Sequence, residues 1–170
     1  SRAGAMPLSF TLDTIGPLAR TAVDAAMMLQ VIAGFDADDA TALDIPVPNA
    51  AICKRPVTGM TVGIPDTFYF DNLDAGVAKA ADTMIAQLKR MKVKIKTITL
   101  PDQMRINAAC QIILGSEAAA IHRPYILSSP EKYGAQVRSR IENGYGYTAV
   151  EYIEALRFRS AALAEHIAAT

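Results

Sequence analysis

The chain has 170 residues, enough for one domain that buries roughly 70 % of the surface its unfolded form exposes. Seventeen basic side chains balance seventeen acidic ones, which excludes a global field drawing the chain to nucleic acid or to an anionic membrane. Apolar residues make up 51 %, yet no stretch approaches the ~20 residues that span a bilayer, and no signal peptide is visible.

Mean hydropathy is +0.19, rich enough to predict that some apolar surface belongs against another part of a larger fold. The ends agree: the first residue is Ser1 rather than Met, and a helical pattern runs to Thr170 without Gly, Asn or Pro to stop it. The expectation is one partial domain over residues 1–170, truncated at both ends. Cys53 and Cys110 are far apart and lack CxxC spacing, which points to a reducing, cytoplasmic setting.

Residues 7–29, PLSFTLDTIGPLARTAVDAAMML, open with a short apolar piece read as a strand that ends at Asp13. A turn at Ile15-Gly16-Pro17 follows, then Thr21 starts a helix with Asp24 three residues later, a short-armed capping box. The helix body, Ala25 to Leu29 with Val31 and Ile32, is apolar on every side and is expected to be buried on every side. Residues 35–60 read as a long solvated loop. Its aspartates Asp36, Asp38, Asp39 and Asp44 lack the Gly and terminal Glu of a calcium loop.

A short buried strand is predicted at 60–64, closed by Pro65, and a helix from about 74 to 91. Val77, Ala81, Met84, Leu88 and Met91 recur in that helix at spacings of four and three, as a core-facing stripe would. A second strand over 93–100 completes a right-handed strand–helix–strand crossover, the unit of parallel α/β sheets. Its lysines, with Lys89, Arg90 and Lys92, form the one cationic cluster and read as the wet face of an edge strand. From Met104 the chain reads helical, with Ile106, Ala109, Ile113 and Ala118 as an apolar stripe, and His122 is placed at the helix end by Arg123-Pro124. Ser129-Pro130 starts a helix carrying Val137 and Ile141 that stops at Asn143-Gly144. The last helix starts near Thr148, with Ala149, Ile153, Leu156, Ser160, Leu163 and Ile167 on one apolar face.

Most candidate chemistry reads as structural. No serine lies in a GxSxG elbow, and Ser116 is expected to bond its own helix backbone. His122 and His166 lack zinc spacing, Cys53 beside Lys54 and Arg55 has no histidine near it, and Gly144-Tyr145-Gly146 follows a helix rather than a strand. No metal ligand set, no cofactor motif and no catalytic residue is assigned. Two features remain. Asp13 ends the first predicted strand beside a Gly-Pro turn, where α/β sites gather, or else it caps that turn. Arg138 and Arg140 share a helix, and either could pair with an acid or hold a substrate carboxylate in bidentate fashion.

The order Leu12-Asp13, Gly16-Pro17, Arg20 and the Asp24-Ala25-Ala26 helix resembles the amidase signature family. The likeness continues through Val31 to Gly34, Asp36, Asp38, Asp39, Thr41, Pro46-Val47-Pro48, the Gly59 to Ile64 strand, Leu100-Pro101, the Val137 to Ile141 stretch with Gly144, and Tyr152 with Ala155. The resemblance implies a helix-rich part of an α/β/α sandwich with a mixed sheet. It implies a parent enzyme that cleaves carboxylic amides to acid and ammonia through a serine nucleophile, a second serine and a lysine, with backbone N–H groups on the oxyanion. In that family all of these lie upstream of the motif that opens this chain, so none is carried over. Arg140 and Asp13 are the substrate-binding candidates; in the branch formed by the glutaminase components of tRNA-dependent amidotransferases, the arginine matching Arg140 is associated with the glutamine carboxylate. That branch also has a tyrosine near Cys110, missing here, which favours a stand-alone amidase. A non-catalytic, amidase-derived interaction module is the third reading. The implied partners are a small-molecule amide, the remainder of the amidase fold and a second copy in a homodimer, with no nucleic acid and no membrane.

Overall fold

Short polar side chains set where the long helices begin in this computed structural model, which describes residues 1–47 and 49–170. Pro48, part of the Pro46-Val47-Pro48 motif, lies outside the described residues. The chain divides into two units, Ser1–Pro56 and Val57–Thr170.

In the first unit, α1 (Ala22–Ile32) begins as its sequence predicts. The Thr21 hydroxyl accepts from the Asp24 N–H at 3.1 Å and donates to the Asp24 carboxylate at 2.8 Å. The helix is apolar all round, but none of its residues is buried and Val31 is 84 % exposed. Burial on every side is therefore corrected: hydropathy makes burial favourable, but covering a helix takes neighbouring elements, and these residues do not supply them. The predicted strand at 8–12 is a turn instead. The Ser9 side chain and carbonyl accept from the N–H groups of Leu12 and Asp13, so this backbone closes on itself rather than on a sheet partner. Among the described residues, the loop after α1 holds a 3-10 turn, Ala50–Lys54, started by the Asn49 side chain accepting from the Ala51 N–H.

The second unit opens with the strand–helix–strand unit. β1 (Thr61–Pro65) and β2 (Lys94–Ile98) pair in parallel, with Thr61 opposite Lys94 and Pro65 opposite Ile98. Between them runs α2 (Ala75–Arg90), started by the Asp74 carboxylate on the Gly76 N–H. Lys94 and Lys96 are exposed while Val93 is buried, as the alternation predicts. The face of α2 is corrected. Ala78, Ala81, Ile85 and Leu88 are its half-buried residues, whereas Val77, Met84 and Met91 are exposed. Ala81 and Leu88 are common to both faces; the shift is about one residue, with Ala78 in place of Val77 and Ile85 in place of Met84.

The core is helical. α3 (Gln103–Ser128) begins where Asp102 accepts from Met104 and Arg105 and runs through Pro124, so His122 lies inside the helix and not at its end. Pro124 removes one N–H and crowds the carbonyl of Ala120, yet the helix continues for another turn to Ser128. Ala109, Ile113, Glu117, Ala118, Ala119, His122 and Ile126 form its buried face. The helix predicted from Ser129 is a 3-10 turn, Pro130–Lys132, and α4 (Ala135–Glu142) starts only after Gly134. Ile141 of α4 is buried and Val137 is exposed, contrary to their pairing as core. A further 3-10 turn, Asn143–Gly146, brings Gly144 so close to α3 that an added Cβ would lie 1.9 Å from the Gly115 carbonyl oxygen. α5 (Ala149–Ala169) carries a full capping box between Thr148 and Glu151. It packs on α3 through Ala155 and Ala162, with the Arg105 guanidinium 4.7 Å from the Phe158 ring centre. Of the predicted face only Leu156 is half-buried; Ala149, Ile153, Ser160, Leu163 and Ile167 are exposed.

Candidate functional site

Asp13 sits in the first unit, where its carboxylate accepts from the Leu8 N–H at 2.8 Å and closes the 8–13 turn. That is the turn-capping role. The turn also forms one wall of a cavity of about 480 Å³ whose lining includes Arg2, Met6, Leu8, Phe10, Asp13 and Asp39. Arg2 organises the other wall. Its backbone N–H donates to Asp39 at 2.7 Å, and its guanidinium donates to the Phe10 carbonyl and the Thr41 hydroxyl, each at 2.7 Å. Asp39 in turn accepts from the N–H and hydroxyl of Thr41 at 2.9 and 2.6 Å. The Thr41 donors, followed by the Arg2 N–H, hold the Asp39 carboxyl far below the usual carboxylate range. The sequence alone did not mark this node. Its legible half was Asp39-x-Thr41, the spacing of an aspartate that caps its own turn; Arg2, 37 residues away, gave no local sign.

Arg138 and Arg140 belong to the second unit, and the structure separates their roles. Arg138 forms an i,i+4 ion pair with Glu142 at 3.4 Å. Arg140 is exposed and has no ion pair among the described residues. It stands one residue before buried Ile141, so a free guanidinium projects from an anchored stretch of helix.

Polar ties cross the buried face of α3 at Glu117 and His122, and neither residue is among the sequence-predicted candidates. Glu117, 3 % exposed, accepts from the Tyr152 hydroxyl of α5 at 2.7 Å. Burial, then the hydrogen bond and charge of Glu117, push the Tyr152 hydroxyl up from its ordinary value. His122, 8 % exposed, hydrogen-bonds the Tyr133 hydroxyl through Nδ1 at 2.8 Å, with the rings edge to face at 5.7 Å. The available signal was a carboxylate and an imidazole in register with Ile113, Ala118 and Ile126.

Ser116 differs from its expected bond to the helix backbone: its hydroxyl oxygen is buried without a hydrogen-bond partner. Cys53 is exposed, its thiol 3.7 Å from the Ala22 carbonyl, and Cys110 is half-buried. Gly144-Tyr145-Gly146 forms a turn between two helices, without the strand-to-helix geometry of a dinucleotide loop. Among the described residues no helix is long and apolar enough to cross a membrane, and no three His, Cys, Asp or Glu side chains gather to hold a metal ion.

A family model described as Amidase matches residues 1–167. An amidase of Pseudomonas putida is 40 % identical over 159 residues, covering 93 % of this chain and 34 % of that protein. A glutamyl-tRNA(Gln) amidotransferase component from Trichlorobacter lovleyi is 31 % identical over 185 residues, covering 94 % of this chain and 38 % of that one. A crystal structure of an amidase superposes with a TM-score of 0.75 at 25 % identity, over 95 % of this chain and 33 % of its own. The chain thus spans about a third of the length of the relatives it matches.

Proposed function

We propose, from the premise that this chain belongs to the amidase signature family, that it is the substrate-side segment of an enzyme that hydrolyses carboxylic amides to acid and ammonia. The observation that carries this reading is the 40 % identity to an amidase over nearly the whole chain. A serine nucleophile supplied by sequence outside this segment passes its proton through a second serine to a lysine base, attacks the amide carbonyl and forms an acyl-enzyme. Ammonia leaves with the proton the base holds, and water releases the acid. This segment contributes binding. Arg140, exposed and without an ion pair among the described residues, offers a planar pair of donors to a carboxylate at the far end of a substrate. Asp13 shapes the wall of the first unit's cavity. The exposed apolar residues of α1 and α5 are the surface that meets the remainder of the fold. The setting we propose is the cytoplasm, on the strength of two free cysteines.

A glutaminase that feeds ammonia to a partner protein is the second reading. It is favoured by the 31 % identity to a component of a glutamyl-tRNA(Gln) amidotransferase and by the unpaired Arg140. One assay separates the two: ammonia release by the complete enzyme from propionamide, benzamide and glutamine. Turnover of the neutral amides supports the stand-alone amidase, and turnover of glutamine alone supports the glutaminase. The 170-residue chain by itself is expected to release none, because it retains contacts without a nucleophile. Steady turnover by the isolated chain, proportional to its concentration, would overturn the assignment of chemistry to sequence outside it.

A further inference from the structure

An isolated eight-residue helix does not hold its shape in water, so whatever fixes α4 also fixes where the Arg140 side chain begins. On one side the anchor is Ile141, 3 % exposed and clustered with Ala118 and Ile126 of α3. Tyr133, just before the helix, packs against the same cluster. An apolar contact alone leaves a ring free to slide, whereas a hydrogen bond has a direction and a length. The Tyr133 hydroxyl has such a bond, 2.8 Å to Nδ1 of His122, on an imidazole shielded from water. Beyond the helix, Gly144 lies against the backbone of Gly115. The short helix is therefore pinned on both flanks to α3. Arg138 is tied down by Glu142, and Arg140 is left free to act.

We propose that His122 and Tyr133 are positioning residues for Arg140: their hydrogen bond sets the reach of its guanidinium toward the carboxylate of an ω-carboxyl amide. This rests on the reading of Arg140 given above. A bidentate arginine contact tolerates little displacement, so loosening the approach to α4 weakens recognition of the distant carboxylate and spares the reacting amide.

The test is steady-state kinetics of the complete enzyme on succinamate and on propionamide. Tyr133→Phe is expected to raise KM for succinamate about tenfold with kcat and the propionamide KM held within about twofold. His122→Asn, whose amide retains a polar atom near the Nδ1 position, is expected to keep most of the selectivity that His122→Ala loses. The Tyr133→Phe/Arg140→Ala double variant should lose no more than Arg140→Ala alone, because the two act through one contact. If Arg140→Ala leaves the succinamate KM unchanged, the reading of Arg140 falls and the latch with it. If Arg140→Ala raises that KM and Tyr133→Phe does not, the latch alone is overturned. Equal losses on both substrates, or a Tyr133→Phe chain that does not fold together with a His122→Asn chain that loses all selectivity, would show a structural tie only and also overturn it.

Discussion

Gly144→Ala probes the closest approach in the second unit. The added Cβ would lie 1.9 Å from the Gly115 carbonyl oxygen, 2.5 Å from its carbon and 2.8 Å from the Ala119 Cβ. Two of those atoms are backbone in the middle of α3, so no side chain can swing aside; the turn Asn143–Gly146 must back away from the helix by more than about 1 Å to restore ordinary van der Waals contact. Overpacking of this kind costs about 1–3 kcal/mol where side chains can adjust, and a rigid backbone puts the cost at about 3 kcal/mol or above. The alanine recovers roughly 0.4–1 kcal/mol by restricting the unfolded chain, leaving a net loss of about 2 kcal/mol or above. Gly146→Ala is the internal control, because nothing lies within 4 Å of its added Cβ. Its stability should remain within about 1 kcal/mol of the parent, on the stabilising side. Urea titrations followed by far-UV circular dichroism measure both. A Gly144→Ala midpoint equal to the parent's, or an equal loss in both variants, would refute the close approach.

Two further outcomes follow from the corrected helix faces and from the cap of α5. Ile85→Ala, at a half-buried position that the spacing did not select, is expected to cost about 1–2 kcal/mol, and Met84→Ala, 56 % exposed, less than about 0.5 kcal/mol; the reverse order in urea midpoints would restore the face predicted from spacing. The Glu151 carboxyl is held below its ordinary value by the backbone N–H and then the hydroxyl of Thr148, so its contribution is present above the unfolded value near 4.5 and is lost as pH falls through the folded one. The stability gap between the parent and Glu151→Gln should therefore be open at pH 7 and narrow steadily below about pH 4.5, and a gap independent of pH would remove the carboxylate from the cap.

The helix starts show what local chemistry makes readable. Thr21 and Thr148 each met an acid three residues on, and a cap is settled within one turn of backbone, so its sequence contains both partners. Faces are different. Spacing finds every stripe of large apolar residues, but the stripe that packs is the one whose shape lets two backbones approach. In α5 that is Ala155 and Ala162, with Ile153 and Leu163 left outside; in α3 it includes Ala118 and Ala119, beneath a turn that touches helix backbone at Gly144. A hydropathy count ranks alanine below isoleucine and so missed Ala155 and Ala162 in α5, while in α2 it kept Ala81 and Leu88 and missed Ile85 by one residue.

The site divides along the same line. Asp13 was legible as a turn residue because Leu8 is five positions away, and the likeness carried by Leu12-Asp13 and Gly16-Pro17 reached the family that the match over residues 1–167 shows. The ties that brace α3 were half legible. Glu117 and His122 interrupt an apolar face at helical spacing, and a buried carboxylate or imidazole demands a partner wherever it occurs. Which residue answers is a matter of tertiary arrangement: Tyr152 comes from 35 positions along the chain on another helix, and Tyr133 from beyond a proline-led turn. A lone polar residue on a buried face therefore announces that a tie exists, while its other end becomes known only from the fold. On the proposed reading, the tie at His122 matters for what it steadies, a helix of eight residues whose exposed Arg140 has no ion pair among the described residues.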